Sequence, residues 1–440
     1  MKLRFLFSFV VLAVTLCGKA KTLYDSPNVD VQKLINETRT KYIIKCHHIF
    51  TDTLRVPVGC ELLFVGGSLS GPVVFSGTKL SGEVNLRGSS LDGSIRNKVF
   101  EADWLCYMDG ERDDARCINE MIRVCDVIHL PKGQYRLKST FNPECVVENC
   151  LQSQIQTHIG INRSNVKLIG DEGAEFITDM PLGTVFVFTK PNQIENSIHN
   201  IEISGITFTV HNDGKEFHEF MHTIKLMGVN GLTIKNCKFN DFWGDAICLS
   251  HYGDNPQTGE RTRNQNVKIL NNQIIGGEKH SNRNGISVIS GKNVIIRGNT
   301  IKNTSREDMP GGIDVEPNNS AYTIDNIRIE KNVLENILSN GIQIYIPKGG
   351  PANNVSIRDN TIKSCRCGLY IGIVSDNTTD YIKIIGNHID VDTRPYIFVG
   401  SAHSANWIVS DNVFERPCLQ DIPGDIKIDK LVMKNNKKKD

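Results

Sequence analysis

The sequence contains no second apolar run of membrane-spanning length, no basic excess, and no Pro/Ser-rich or low-complexity linker. Each absence removes a class. The only long apolar run, Phe5 to Leu16, is too short to cross a bilayer, so no membrane span is expected. Lysine and arginine number 50 against 49 acidic residues, without the surplus that nucleic-acid binders carry. With no linker, the long chain reads as one domain following a leader. Cys365-Arg366-Cys367 has no CxxC partner and no neighbouring His, which argues against a zinc site there.

The leader is residues 1–20. Lys2 and Arg4 precede the apolar run, and Gly18-Lys19-Ala20 offers the small residues that a signal peptidase requires. The expectation is a secreted or periplasmic protein, with a lipoprotein at Cys17 as the lesser alternative. Removing Lys2, Arg4 and Lys19 leaves the mature chain with a formal charge of −2. Twelve cysteines then remain. Export permits disulfides, and Cys145/Cys150 or Cys106/Cys117/Cys125 are candidates by proximity. Inward placement as small apolar residues is the stronger reading for most of them.

What the sequence does have is repetition. An apolar residue, two variable residues, Asn, one variable residue and an apolar residue recur as Ile269…Asn272…Ile274, Ile296…Asn299…Ile301, Ile329…Asn332…Leu334, Ile357…Asn360…Ile362, Ile384…Asn387…Ile389 and Val409…Asn412…Phe414. The Asn positions step by 27, 33, 28, 27 and 25 residues. A period in this range marks a solenoid, and two-residue alternation within each phrase makes every repeat a turn of β-strands. The class is therefore all-β. Residues 21–100 read as a strand-rich region of first, irregular coils, and residues 101–440 as the solenoid continuing from it. Asp113 or Asp114 is a good N-cap for a short helix with Cys117, Ile118, Met121 and Ile122 as its apolar stripe. Such a helix would cover the open end of the core, as solenoids require.

Asp109-Gly110, Asp113-Asp114, Ile118-Asn119 and Ile122, followed by His129-Leu130-Pro131-Lys132-Gly133-Gln134-Tyr135, resemble the N-terminal signature of the pectate-lyase-like superfamily. Ser164-Asn165-Val166-Lys167-Leu168-Ile169-Gly170 looks like its next coil. The resemblance covers about residues 100–415. It implies a right-handed parallel β-helix with a short N-terminal capping helix. It also implies stacked Asn side chains whose amides bond along a ladder in a tight turn with left-handed backbone. It does not choose among hydrolases, lyases, epimerases and inert scaffolds. The Asn-Thr-Asp, Asp-Asp, Gly-His-Gly and Arg-Ile-Lys motifs of the similar polygalacturonases are not matched.

A second phrase, Gly then Ile or Leu, aligns the strands Thr223–Met227, Ala246–Ser250, Gly285–Ile289, Gly312–Glu316, Gly341–Tyr345 and Gly368–Gly372. Their second and fourth residues are apolar and point inward. Lys225, Cys248, Ser287, Asp314, Gln343 and Tyr370 then face outward, as do Met227, Ser250, Ile289, Glu316, Tyr345 and Gly372. Asp314 and Glu316 alone place two carboxylates on one outer face, about 6.5–7 Å apart at the backbone. Like charges so close tend to raise one pKa, as an acid/base pair needs. Asp245 begins a strand two coils away and is the candidate third carboxylate.

Arg283 enters from the coil between them, and Lys225 and His251 flank it; these are candidate substrate-binding residues, with Trp243, Tyr345 and Tyr370 as surfaces for sugar rings. The neighbouring long loops add Lys279, His280, Arg261, Arg263, Arg306, Glu307 and Tyr252. These features read as a glycoside hydrolase acting without a cofactor on a polysaccharide or oligosaccharide, acidic in character. The alternatives are a lyase, with Ca²⁺ held by Asp245, Asp314 and Glu316 and with Lys225, Arg283 or His251 as base, or a glycan-binding scaffold without catalysis.

Overall fold

The computed structural model describes residues 19–23, 30–141, 156–190, 197–211, 218–251, 263–277, 282–317, 322, 324–346, 352–373, 381–391, 397–401, 403–414 and 427–438. The apolar run Phe5 to Leu16, Cys17, the Cys145/Cys150 pair, Tyr252, Arg261, Lys279 and His280 lie outside them. Two compact units divide the chain, Met1–Asn97 and Lys98–Asp440.

In the first unit, parallel strands Ala20–Leu23, Lys41–Ile44, Glu61–Phe64 and Pro72–Gly82 stack in that order. Leu62, Phe64, Val73, Phe75 and Leu80 are buried between them. Their alternation of apolar and polar residues is the period that puts every second side chain inside.

The second unit is a parallel β-helix. Every named strand pair in it is parallel and joins one coil to the next, and the described strands form a 19-stranded and a 12-stranded sheet. The helix Ala115–Val124 stands at its N-terminal end with Ile118, Met121 and Ile122 buried. Asp113, not the N-cap Asp114, supplies the side-chain cap, accepting from the Ala115 N–H at 3.1 Å. Asp114 is turned inward instead, where its carboxylate accepts the N–H groups of Tyr107 and Met108 at 2.7 and 2.9 Å.

The repeated Asn forms a continuous buried row. Asn272, Asn299, Asn332, Asn360, Asn387 and Asn412 each donate from Nδ2 to the Oδ1 of the next, at 2.9–3.0 Å, ending on Asn436. The same Oδ1 also accepts the preceding Asn's backbone N–H, as from Asn332 to Asn360 at 2.9 Å. The second Nδ2 proton closes on a carbonyl of the preceding coil, for Asn332 that of Ile296 at 3.0 Å. The left-handed residue is not the stacked Asn but the one before it: Asn271, Gly298, Lys331, Asp359, Gly386 and Asp411 all have φ between 53° and 69°. The division is physical: one residue makes the corner and the next satisfies the polar groups that the corner buries.

A second, outer row runs Asn354 to Asn326 to Asn293 to Asn266 to Asn230, again Nδ2 to Oδ1, at 2.7–3.1 Å. Here the stacked residues Asn266, Asn293, Asn326 and Asn354 do adopt left-handed backbone. This outer row, exposed or only partly covered, bonds in competition with water, whereas the buried one has no alternative partner.

Asn332→Ala is therefore expected to destabilise the fold by about 3 kcal/mol or more, since several buried groups lose partners. Asn326→Ala should cost about 1 kcal/mol or less. Denaturant unfolding followed by circular dichroism compares them. Equal losses would show that burial does not set the strength of the rows.

Candidate functional site

The strand alignment holds residue by residue. Lys225 pairs with Cys248, Cys248 with Ser287, Ser287 with Asp314, Asp314 with Gln343 and Gln343 with Tyr370. Flanking positions Ile224, Leu226, Ile247, Leu249, Ile286, Val288, Ile313 and Val315 are in the core. The row pointing away from that core is nevertheless covered. Asp314 is 2% exposed, Cys248 and Ser287 are buried, and Lys225 retains 9%. Glu316, two residues beyond Asp314, is only partly covered.

Segment 218–222 belongs to this cover and passes close over Gly244. A Cβ on that glycine would lie 2.7 Å from the Glu219 carbonyl oxygen, so a side chain there would displace the segment. Trp243 is buried, donating from Nε1 to the Met180 carbonyl at 3.1 Å and packing edge-on against His218. It does not present an open face. His251 stacks on Tyr322 with ring centroids 3.9 Å apart. Tyr345 and Tyr370 are half-buried on the coils after Asp314, and burial, then Tyr345 and more weakly Glu316, push the Tyr370 hydroxyl up. Lys225 lies over Phe186 with Nζ 6.0 Å from the ring centre.

At the centre is Arg283. Its Nη1 bonds both oxygens of Asp245, at 3.3 and 3.1 Å, and its Nε lies 3.7 Å from Glu219 Oε1. Asp245 is fully buried; it also accepts the Asn284 N–H at 3.1 Å, and its own N–H donates to His222 Nδ1 at 3.1 Å. Burial pushes His222 down to about 3, so the ring is neutral and accepts that bond. Asn284 carries the connection onward, with Oδ1 taking the Gly311 N–H at 3.0 Å and Nδ2 donating to Ser287 at 3.1 Å. Asp245, Arg283 and Asn284 thus tie three successive coils beneath the carboxylate pair.

Asp314 and Glu316 act on each other's protonation, by charge and as side-chain hydrogen-bond partners. Burial, then the Glu316 charge, raises Asp314 well above the ordinary carboxylate range, so its acid form donates to the Glu316 carboxylate. Glu316 is also raised, by burial, against the pull of Arg283 and of the bond from Asp314. Asp314 Oδ1 has no hydrogen-bond partner among the described residues. Glu219, exposed on the covering segment, adds a further negative charge that favours the protonated form of Glu316.

Glu219 is the functional candidate that strand alignment did not find. It sits before the Ile224–Met227 strand, in His218-Glu219-Phe220, where no period places it. Of the remaining loop residues, Arg306 pairs with Asp308 at 3.0 Å, and Arg366 donates to the Glu307 carbonyl at 3.1 Å.

A cation set among the carboxylates bears on metal binding. Arg283 neutralises Asp245 directly and acts on both Asp314 and Glu316. Ca²⁺ takes several ionised oxygen ligands free to bond it, whereas here Asp245 is already bonded to a guanidinium that also acts on the other two carboxylates. The donor set Asp245, Asp314 and Glu316 does not fit that ion.

No family model and no curated protein sequence matches the chain. Solved structures do. One is PfbA, a surface protein and adhesin of Streptococcus pneumoniae, at TM-score 0.45 and 14% identity over 77% of this chain and 98% of that one. Another is the A-module of the mannuronan C-5 epimerase AlgE6 of Azotobacter vinelandii, at 0.46 and 12% over 77% and 94%. A third is an iota-carrageenase complexed to iota-carrageenan fragments, at 0.48 and 10% over 77% and 88%. These are likenesses of β-helix architecture, and such scores and identities transfer no activity.

Two outcomes follow from the charge arrangement. Arg283→Met strands the buried Asp245 carboxylate and should destabilise by about 3–5 kcal/mol. Adding Asp245→Asn should recover much of the loss in denaturant unfolding; a single variant as stable as the parent would place Arg283 outside the structural network. Asp314 titrates the other way from a salt-bridged acid. Its raised folded value gives stability that is full below the ordinary Asp value of about 3.9 and lost as pH rises through the folded value. Asp314→Asn stays neutral, so it should match the parent in acid and exceed it near neutral pH. Melting curves across pH test this, and parallel curves would contradict it.

Proposed function

We propose that the protein is a carbohydrate-active enzyme, a hydrolase of an acidic polysaccharide or oligosaccharide, with Glu316 as the group that meets the glycosidic oxygen. One observation carries this reading: two carboxyl groups stand on one strand, one fully buried and the other opening toward the surface, and burial holds both above their ordinary range. Burial has the same effect on a general acid wherever it occurs, holding a carboxyl protonated above its ordinary range. Export of the chain, expected from its leader, would bring it to such substrates.

The hydrogen bond between Asp314 and Glu316 limits their roles. Opposed acid and nucleophile stand about 5–5.5 Å apart in retaining glycosidases and further in inverting ones. Two carboxyls on one strand that act on each other's protonation serve instead as one proton-holding unit. Glu316 delivers the pair's proton to the leaving oxygen, drawing it from the buried Asp314 acid, and the two share the negative charge that remains. The opposing carboxylate is then Glu219, which lies on the covering segment beside Arg283 and acts on Glu316 from outside the strand. Glu219 activates water or attacks the sugar; the residual positive charge of Arg283 stabilises whichever carboxylate is ionised. Tyr345 and Tyr370, on the next two coils, supply ring faces for adjoining sugars.

The fit of Arg283 among the acids favours hydrolysis over Ca²⁺-assisted elimination. A panel of acidic and neutral glycans, with product mass and ultraviolet absorbance recorded, separates them. Addition of water to a uronate- or sulfate-bearing glycan is expected. An unsaturated product one water lighter identifies a lyase, and binding without turnover identifies a scaffold. On a confirmed substrate, Glu316→Gln and Glu219→Gln should each lower kcat by about 10²-fold or more. The parent's rate should fall as rising pH removes the pair's proton, above the ordinary carboxylate values of about 3.9–4.3. Turnover within a few-fold of the parent for both variants places the chemistry elsewhere.

A further inference from the structure

The second unit holds another buried group of chemistry-bearing side chains, remote in sequence from the carboxylate pair and independent of the function proposed above. Cys106, Asp114 and Cys117 bring one ligand atom each to within 4.8 Å of one another at the N-terminal end of the β-helix. Cys106 and Asp114 are completely buried and Cys117 is partly exposed. The local fold builds this arrangement. Asp114 is the N-cap of the Ala115–Val124 helix and Cys117 lies three residues on, so both project from one side of the first turn. Cys106 immediately precedes Tyr107 and Met108, whose N–H groups hold the two oxygens of Asp114. The carboxylate is therefore oriented before any ligand arrives, and each oxygen keeps a lone pair.

Acidic side chains predominate around this group, with Arg112, paired to Asp109 and lying over the Tyr107 ring, as a cation at its edge. The charged side chains that act most strongly on Asp114 are Asp109 and Asp113, both acidic. The nearby Tyr135 hydroxyl feels Cys106, Asp114, Asp103 and Asp171, all anionic when charged. The other cluster of comparable geometry, His222, Asp245 and Cys248, differs in two ways. Arg283 already neutralises its carboxylate, and its histidine Nδ1 accepts a backbone N–H. That cluster is closed to a cation, whereas the Cys106 group combines soft donors, a carboxylate and an acidic surrounding.

We propose that Cys106, Asp114 and Cys117 bind one Zn²⁺, which fastens the capping helix to the chain that enters the first coil. Zinc takes thiolate sulfur at about 2.3 Å and carboxylate oxygen at about 2.0–2.2 Å, with four ligands around it. Neighbouring donors then stand about 3.3–3.8 Å apart, a contraction that rotation of the Cys117 side chain provides. Each thiol gives its proton to solvent as its bond to the metal forms. Water completes the coordination on the side that Cys117 leaves open, so the metal locks the cap and adds no step to the glycan chemistry.

The test uses the full chain, reduced, stripped with chelator and titrated with Zn²⁺ against a chromophoric chelator. One equivalent is expected to bind, with release of protons and a rise in melting temperature. Co²⁺ in its place should give a thiolate-to-cobalt charge-transfer band. Cys117→Ser, at a partly exposed position that tolerates the change, should weaken Zn²⁺ binding at least tenfold and remove that band's contribution from its sulfur. Cys106→Ser should do the same. Three results would overturn the proposal: no stoichiometric binding, binding unchanged in Cys117→Ser, or isolation of the chain with Cys106 and Cys117 joined as a disulfide two hydrogens lighter.

Discussion

A coil that turns a corner around a closed core must bury backbone amides where no neighbouring strand can pair with them, and the coil fails unless something bonds to those groups. The row from Asn272 to Asn436 meets that constraint. Each carboxamide takes two donors from the preceding Asn, gives one proton to the following Asn and one to a carbonyl behind it. Strand register, the inward apolar stacks and the outward row that includes Asp314 all follow from corners that repeat at the same point in every coil. The variable lengths between Asn positions are absorbed elsewhere, so the rise from strand to strand stays constant.

This part was legible because side-chain period and backbone geometry coincide. Asn recurs at one place in each apolar phrase, and two-residue alternation assigns inside and outside without knowledge of the coil's shape. The alignment on Gly-Ile phrases therefore reproduced the pairing from Lys225 through Tyr370. Left-handed backbone was assigned one residue too late, to the stacked Asn instead of the residue before it. A mixed set of Asn, Gly, Lys and Asp occupies that corner, and it has no single signature. The outer row at Asn266, Asn293, Asn326 and Asn354 was visible in principle, since each directly precedes an apolar strand residue.

The site was legible only where it lies on the strands. Alternation put Asp314 and Glu316 on one face, but facing away from the core is not the same as facing water. Segment 218–222 passes over Gly244 beside that face and Arg283 lies against it, and their approach depends on Gly244, on a buried neutral His222 and on bonds across three coils. None of these has a period. Glu219 enters from a loop, so its relation to Glu316 appears only in three dimensions. The two carboxylates are also unequal: Asp314 is fully buried and Glu316 lies nearer the surface.

The Asn row has a direction, and its two ends make different chemical demands. At the start, the Oδ1 of Asn272 needs only a donor, and the backbone N–H of Cys237 supplies one at 2.9 Å. Any residue with an amide proton could begin the series, which is why a side chain without a carboxamide stands there. At the far end the requirement is reversed. Asn412 presents its N–H and Nδ2 together, and both must find one oxygen, that of Asn436. A solenoid of this kind can therefore be founded on almost any residue, but each coil laid upon it must arrive with an acceptor in place. Coils can be gained or lost only as whole units that preserve this one-way succession.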